Sequence, residues 1–167
     1  MVSQPLTDLD IRKLLPETMV LTYPELKNAE SIDDILGSQK QCVVLFLTEN
    51  DHTGHWQGLF EDAKGIHFFD SYGMSPNGAF AWLNAEEERK LHQTREYLDA
   101  LLRKAGRPVF YSTARLQSRD DDVATCGRHV CCRLLFKRMP LQEYVKMVRH
   151  NGDADAWVTQ FTQTLLE

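Results

Sequence analysis

Apolar positions along this chain follow two different periods. Between residues 42 and 69 they come in short runs rich in β-branched and aromatic side chains: Cys42-Val43-Val44-Leu45-Phe46-Leu47, then His55 to Phe60, then Ile66 to Phe69. Runs of this length and composition predict sheet strands. Glu61-Asp62-Ala63-Lys64-Gly65 is short, polar and ends in glycine, so the second and third strands are expected to form a hairpin. A further strand is expected over Val109 to Ser112.

Helical signals flank these strands. Thr7-Asp8-Leu9-Asp10 opens a short helix that ends before Pro16, and Ser31-Ile32-Asp33-Asp34 opens another that Gly37 closes. The first forty residues are therefore expected to be small helices. Asn84-Ala85-Glu86-Glu87 starts a long helix with Leu91, Leu98, Leu101 and Leu102 on one stripe, closed by Gly106 and Pro108. The acidic run Asp120-Asp121-Asp122 predicts a solvated loop. Gly127 to Met139 predicts a helix stopped by Pro140. Two more helices follow, the last with Trp157, Phe161 and Leu165 spaced by four. The helix from Gly127 carries Val130, Cys131, Cys132, Leu134, Leu135 and Phe136, more than half of a helical circumference, and should be central and buried. Strands and helices in this order, without repeat or linker, place residues 1–167 in one α+β domain.

Composition sharpens the picture. With 167 residues, 43% of them hydrophobic, the chain buries a substantial core without cross-links. The N-terminal stretch MVSQPLTDLDIRKLL is too acidic and too polar for a leader, and no segment is apolar enough to span a bilayer, so a soluble protein of a reducing compartment is expected, with no membrane partner. A net charge of −5 offers no global attraction for nucleic acid.

In a reducing compartment cysteines stay free, which makes Ala124-Thr125-Cys126-Gly127-Arg128-His129-Val130-Cys131-Cys132 informative. Crowding of this kind serves a metal or a reactive thiol. Cys126, His129, Cys131 and Cys132 on one rigid helix cannot converge on a tetrahedron, and His52-x-x-His55 has no second cysteine near it, so no metal is expected. Cys126 instead stands where a helix begins, and unpaired backbone N–H groups there favour a thiolate and can serve an oxyanion beside it. Gly127 lets a substrate approach closely. Cys131 and Cys132 lie further along the helix and are expected to be inert core residues.

A nucleophile needs a base, an orienting group and an oxyanion donor. His55, in Gly54-His55-Trp56 at the start of a strand, supplies the imidazole. Asp70 ends the next strand, in Phe68-Phe69-Asp70-Ser71-Tyr72-Gly73, and the hairpin sets it beside His55. Gln117 precedes Cys126 by nine residues and offers an amide. His129, on the nucleophile's own helix, is expected to be a packed or hydrogen-bonded core residue.

The order His55-Trp56, Asp70, Gln117, then Ala124-Thr125-Cys126-Gly127 running on to Cys131-Cys132, resembles the adenain-like (adenovirus-type) and SUMO-protease-like cysteine proteases over residues 42–139. That resemblance implies an α+β, papain-like fold entered in permuted order, with a mixed central sheet packed against the buried nucleophile helix. It also implies cofactor-free peptide hydrolysis beside small, Gly-rich sites in viral or capsid precursors or in ubiquitin-like proteins. His55, Asp70, Gln117 and Cys126 would be catalytic, with Gly54, Trp56 and Gly127 facing substrate. A monomer in the host cytoplasm or nucleus, or packaged in a virion, is the corresponding setting. Two features depart from the adenovirus branch: the acidic member is Asp70 rather than Glu, and Arg107-Pro108-Val109 stands where that branch has an activator-binding cysteine. Without that cysteine no disulfide-linked peptide is expected to activate this chain, and with a net negative charge neither is DNA. A modifier-cleaving enzyme, an acetyl-transferring relative and a structural virion protein with a vestigial site are the alternative readings.

Overall fold

The computed structural model describes residues 4–120, 123–150 and 152–167. Helix α1 (Asp8–Leu14) begins where the sequence predicts, because the Thr7 side chain accepts from the Asp10 N–H while the Asp10 carboxylate accepts from the Thr7 N–H. Strand β1 (Met19–Thr22), a 3-10 turn (Tyr23–Asn28) and α2 (Ile32–Leu36) follow. The expectation of helices alone in this region is corrected by β1. It pairs in parallel with β2 (Gln41–Asn50), Met19 opposite Cys42 through Thr22 opposite Leu45. Four residues are too few to display a period, so the strand is recruited by the sheet rather than announced by its own pattern.

Strands β3 (Thr53–Asp62) and β4 (Gly65–Phe69) form the expected hairpin, and β5 (Val109–Tyr111) pairs in parallel with β4. Among the described residues this makes one five-stranded mixed sheet in the order β1-β2-β3-β4-β5. The run of β2 is apolar because both of its faces are covered. Val43, Leu45 and Leu47 join Trp56, Phe60 and Phe69 against one helical layer, while Cys42, Val44 and Phe46 join Leu59, Ile66 and Phe68 against the other.

The predicted long helix from Asn84 is two, α3 (Ala85–Lys90) and α4 (Tyr97–Ala105). Gln93 explains the break. β1 stops opposite Leu45, and two residues on, the fully buried Gln93 amide accepts from the Leu47 N–H at 2.8 Å and donates to the Leu47 carbonyl at 2.9 Å. Buried backbone groups require partners, and supplying them here takes the chain out of helical geometry, with His92 at φ +58°.

Helix α5 (Cys126–Leu135) packs on the sheet with α6 (Leu141–Arg149) and α7 (Ala154–Leu166) around it. It is shorter than the predicted span to Met139. The buried Arg133 guanidinium, lying over the rings of Phe60 and Tyr144, donates to the carbonyls of Phe136 and Met139 and so satisfies the chain after the helix ends. Burial extends round more of α5 than its apolar pattern suggests, taking in Arg128 and His129, whereas Leu135, predicted to be inward, is 42% exposed. Asp120 of the acidic run is exposed; Asp121 and Asp122 lie outside the described residues. Among the described residues, no helix is long and apolar enough to cross a membrane.

Close approach of α5 to β3 depends on Gly58. A Cβ there would stand 2.8 Å from Cγ1 of the buried, β-branched Val130, which has no rotamer freedom to yield. Gly58→Ala is therefore expected to cost about 1–3 kcal/mol, as overpacking does. Urea unfolding would measure it, and an unchanged midpoint would mean that α5 seats less tightly on the sheet than the 2.8 Å approach implies.

Candidate active site

Three chain segments converge at one end of the sheet: the start of β3, the end of β4, and the N-terminus of α5. Gly54 fits at the first of these because a Cβ would run into the Phe46 carbonyl of β2. His55 follows, buried, on the sheet face opposite to Trp56.

The β3–β4 register sets Gly58 opposite Phe69, so its continuation places Gln57, not His55, opposite Asp70. Asp70 reaches His55 on the diagonal. Its carboxylate has no exposed surface and is held by three donors. Oδ2 meets His55 Nε2 at 2.9 Å and accepts from Gln57 Nε2 at 3.1 Å. Oδ1 accepts from the Tyr72 N–H at 2.8 Å. The imidazole is flanked by the Tyr72 ring, stacked at 5.1 Å, and by the Trp82 ring, edge-on at 5.2 Å. With Nε2 committed to Asp70, Nδ1 is left for the thiol.

Cys126 is the first residue of α5 and is partly exposed, whereas Cys42, Cys131 and Cys132 are buried. Its Sγ accepts from the Trp56 N–H at 3.5 Å. Burial raises the Cys126 pKa, but the hydrogen bond and charge of His55, with the N–H groups of Trp56 and Gly127, outweigh it and bring the thiol below its ordinary value. Burial likewise lowers the His55 pKa, and the hydrogen bonds to Asp70 and Cys126 overcome it, raising the imidazole to about 10. The favoured state is thiolate beside imidazolium. Burial pushes Cys42 and Cys131 up to about 12 and Cys132 higher still, so the two cysteines further along α5 are inert packing residues.

Gln117 arrives on the irregular segment after β5. Its backbone N–H and that of Leu116 donate to the Ser71 carbonyl. Its Oε1 accepts from Ser71 Oγ at 2.6 Å, and Nε2 donates to the Val123 carbonyl at 3.0 Å. Among the described residues these bonds leave one amide hydrogen uncommitted. His55, Trp56, Trp82, Gln117, Cys126 and Gly127 all line one open cleft of about 690 Å³. A Cβ at Gly127 would sit 3.0 Å from the Trp56 ring, so the glycine allows indole and nucleophile helix to touch. His52 points elsewhere: its Nδ1 bonds Asp51 at the exposed turn. His129 is fully buried, bonded through Nε2 to Asp155 at 2.7 Å, and takes no place in the cleft.

No family model matches the chain. Over 145 residues it is 34% identical to uncharacterized protein V9 of the Sputnik virophage, a match covering 86% of this chain and 82% of that protein. The chain belongs to the family of that virophage protein.

Four residues of the site in this virophage-family protein, Gln57, Ser71, Tyr72 and Trp82, are absent from the sequence-based expectation. Gln57 was within reach of pattern reasoning, since residues two apart on a strand share a face with His55. Ser71 and Tyr72 follow Asp70 directly, Ser71 acting through its carbonyl and hydroxyl and Tyr72 through its N–H and its ring. Trp82 comes from a 3-10 turn (Gly78–Trp82) whose position against His55 has no local signal.

One thiol among four should therefore react. Iodoacetamide at neutral pH is expected to modify Cys126 alone, at a pH where the other thiols remain protonated, with peptide mass mapping as the readout. His55→Ala removes the group that lowers the Cys126 pKa while burial still raises it, so the alkylation profile should move to higher pH. Modification spread over several cysteines would contradict the described ion pair.

Proposed function

We propose that this chain is a cysteine endopeptidase with the papain-like, permuted arrangement of adenain-like proteases, cleaving polypeptides beside small, Gly-rich sites. The observation that carries this reading is the His55 imidazole, bonded on one side to the buried Asp70 and on the other polarising Cys126 at a helix N-terminus. Gln117 in the same cleft adds the amide that acyl transfer requires. Kinship with a virophage protein favours virion precursors as the substrates.

In this mechanism the Cys126 thiolate attacks the scissile carbonyl carbon and its π electrons move to oxygen. The oxyanion is stabilised by the remaining Gln117 amide hydrogen and by the Cys126 backbone N–H, which has no acceptor within its own helix. Collapse breaks the C–N bond as His55 gives its Nδ1 proton to the leaving amine. Water then adds to the thioester with His55 as base, releasing the acid and the thiolate. Asp70 keeps the ring oriented and its cation stabilised without taking the proton.

Cys126→Ala and His55→Ala should both abolish cleavage of a Gly-containing peptide, since residues acting as a unit fail together. Gln117→Ala should lower kcat roughly a hundredfold with KM little changed, the scale of one lost oxyanion donor. Active Cys126→Ala protein would overturn the reading.

The pH profile follows from the same groups. kcat/KM should rise below the ordinary thiol range as Cys126 ionises and fall around pH 10 as His55 loses its proton. Asp70 raises the His55 pKa, so Asp70→Asn should pull the basic limb to lower pH as well as slowing turnover. An unshifted limb would remove Asp70 from the proposed role.

Activation by DNA or by a disulfide-linked peptide is not part of the proposal. Arg107 is paired with Glu61 at 2.6 Å and Asp33 at 3.0 Å, Arg103 with Asp99 at 2.8 Å, and Cys42 is sealed in the core. Duplex DNA should change the initial rate less than about twofold at physiological salt, because a net charge of −5 offers phosphate no general attraction and pairs such as Arg89-Lys90 stand beside Glu86, Glu87 and Glu88.

A further inference from the structure

Asp155 lies on the second residue of α7, far along the chain from the cleft, and its carboxylate collects three donors. Oδ1 accepts from Thr125 Oγ1 at 2.6 Å and bonds His129 Nε2 at 2.7 Å; Oδ2 accepts from the Ser118 backbone N–H at 2.8 Å. The identity of those donors is the telling point. Ser118 is the residue after Gln117. Thr125 is the residue before Cys126, and its carbonyl accepts from the His129 N–H in the first turn of the nucleophile helix. Thr125 and His129 are buried, so their polar atoms have no water to turn to.

The segment between β5 and α5 has no regular secondary structure at its described residues, and it carries the proposed oxyanion donor. Near Gln117 it is tied to Ser71 on one side, and near its end by the Gln117 amide to the Val123 carbonyl. Among the described residues Asp155 is the one side chain that bonds both Ser118 and Thr125, and so spans the two ends of that turn. Only an anion suits this post. Three donors need two accepting oxygens, and an amide would turn an N–H toward one of them. The position at the N-terminus of a 13-residue helix supports a negative charge as well.

We infer that Asp155 is a positioning residue, which holds the Gln117 segment and the Cys126 helix in one fixed relation so that amide and thiolate meet the same carbonyl. The role in turnover rests on the peptidase reading; the tether itself does not.

Asp155→Asn tests both. Its kcat should fall about 10–100-fold, up to the loss of one oxyanion donor, with KM within about threefold. Iodoacetamide modification of Cys126 needs no oxyanion donor and should stay within about twofold of the wild type. Adding Gln117→Ala to Asp155→Asn should cost far less than Gln117→Ala alone, because the amide is already misplaced. Amide exchange at Ser118 should speed up at least about tenfold while Val130 in the core of α5 keeps its protection. Should Asp155→Asn fail to fold, Thr125→Val removes one donor isosterically and takes the same four readouts, with Thr125→Ser restoring them.

Full additivity with Gln117→Ala would overturn the inference, as would alkylation slowed as much as turnover, or unchanged kcat and exchange. If the wild-type protein cleaves no peptide, the peptidase reading falls by itself. Exchange at Ser118 then decides the tether alone: acceleration upholds it and no change overturns it.

Discussion

A carboxylate with no access to water must be given its solvent by the protein, and the candidate site is organised around that requirement at Asp70. The three donors that surround it come from different levels of structure: the His55 imidazole, the Gln57 amide on the same strand face, and the backbone of Tyr72. Losing any one would leave a lone pair unsatisfied in a medium where that is costly. The end of β4, the rotamers of two β3 side chains and the turn into Ser71 are therefore mutually determined. Ser71 then carries the constraint onward, since its carbonyl and hydroxyl anchor Leu116 and Gln117.

Packing seats the body of the opposite wall, while the Asp155 carboxylate ties its first turn. α5 is buried around most of its circumference, seated on β3 at Gly58 and backed by α7, so the first residue of the helix cannot drift relative to the strand that presents His55. A polar wall set by hydrogen bonds and an apolar wall set by contact meet at the bond from the Trp56 N–H to Cys126 Sγ. Such division of labour suits a nucleophile, whose ionisation depends on short electrostatic distances that a close-packed core holds constant.

What was legible in the sequence was local or one step removed from local. The hairpin was legible because a short polar stretch ending in glycine between two apolar runs leaves little choice, and with it the neighbourhood of His55 and Asp70. Cys126 was legible because helix starts advertise themselves. The failures share a cause: each element is decided by a partner distant in sequence. β1 exists because β2 offers it an edge. The helix after Asn84 breaks because Gln93 is needed by Leu47, 46 residues away. Asp155 reads as an unremarked acidic residue in a first helical turn until the fold brings Ser118 and Thr125 to it. Arg133 carries no signal of its own in the pattern of α5 until the fold sets its guanidinium over the rings of Phe60 and Tyr144.

Sealing Cys42, Cys131 and Cys132 in the core also sorts the thiols by their fate under oxidation. Peroxide attacks thiolates, so the first equivalent falls on Cys126, where sulfenic acid forms. A disulfide from there would need a second accessible thiol, and the other three are buried within the packed layers of the same chain. The oxidised sulfur must wait for a small thiol arriving through the open cleft. Oxidation would thus stay confined to Cys126 without cross-linking the fold, and exchange with a reductant would return the thiol without unfolding.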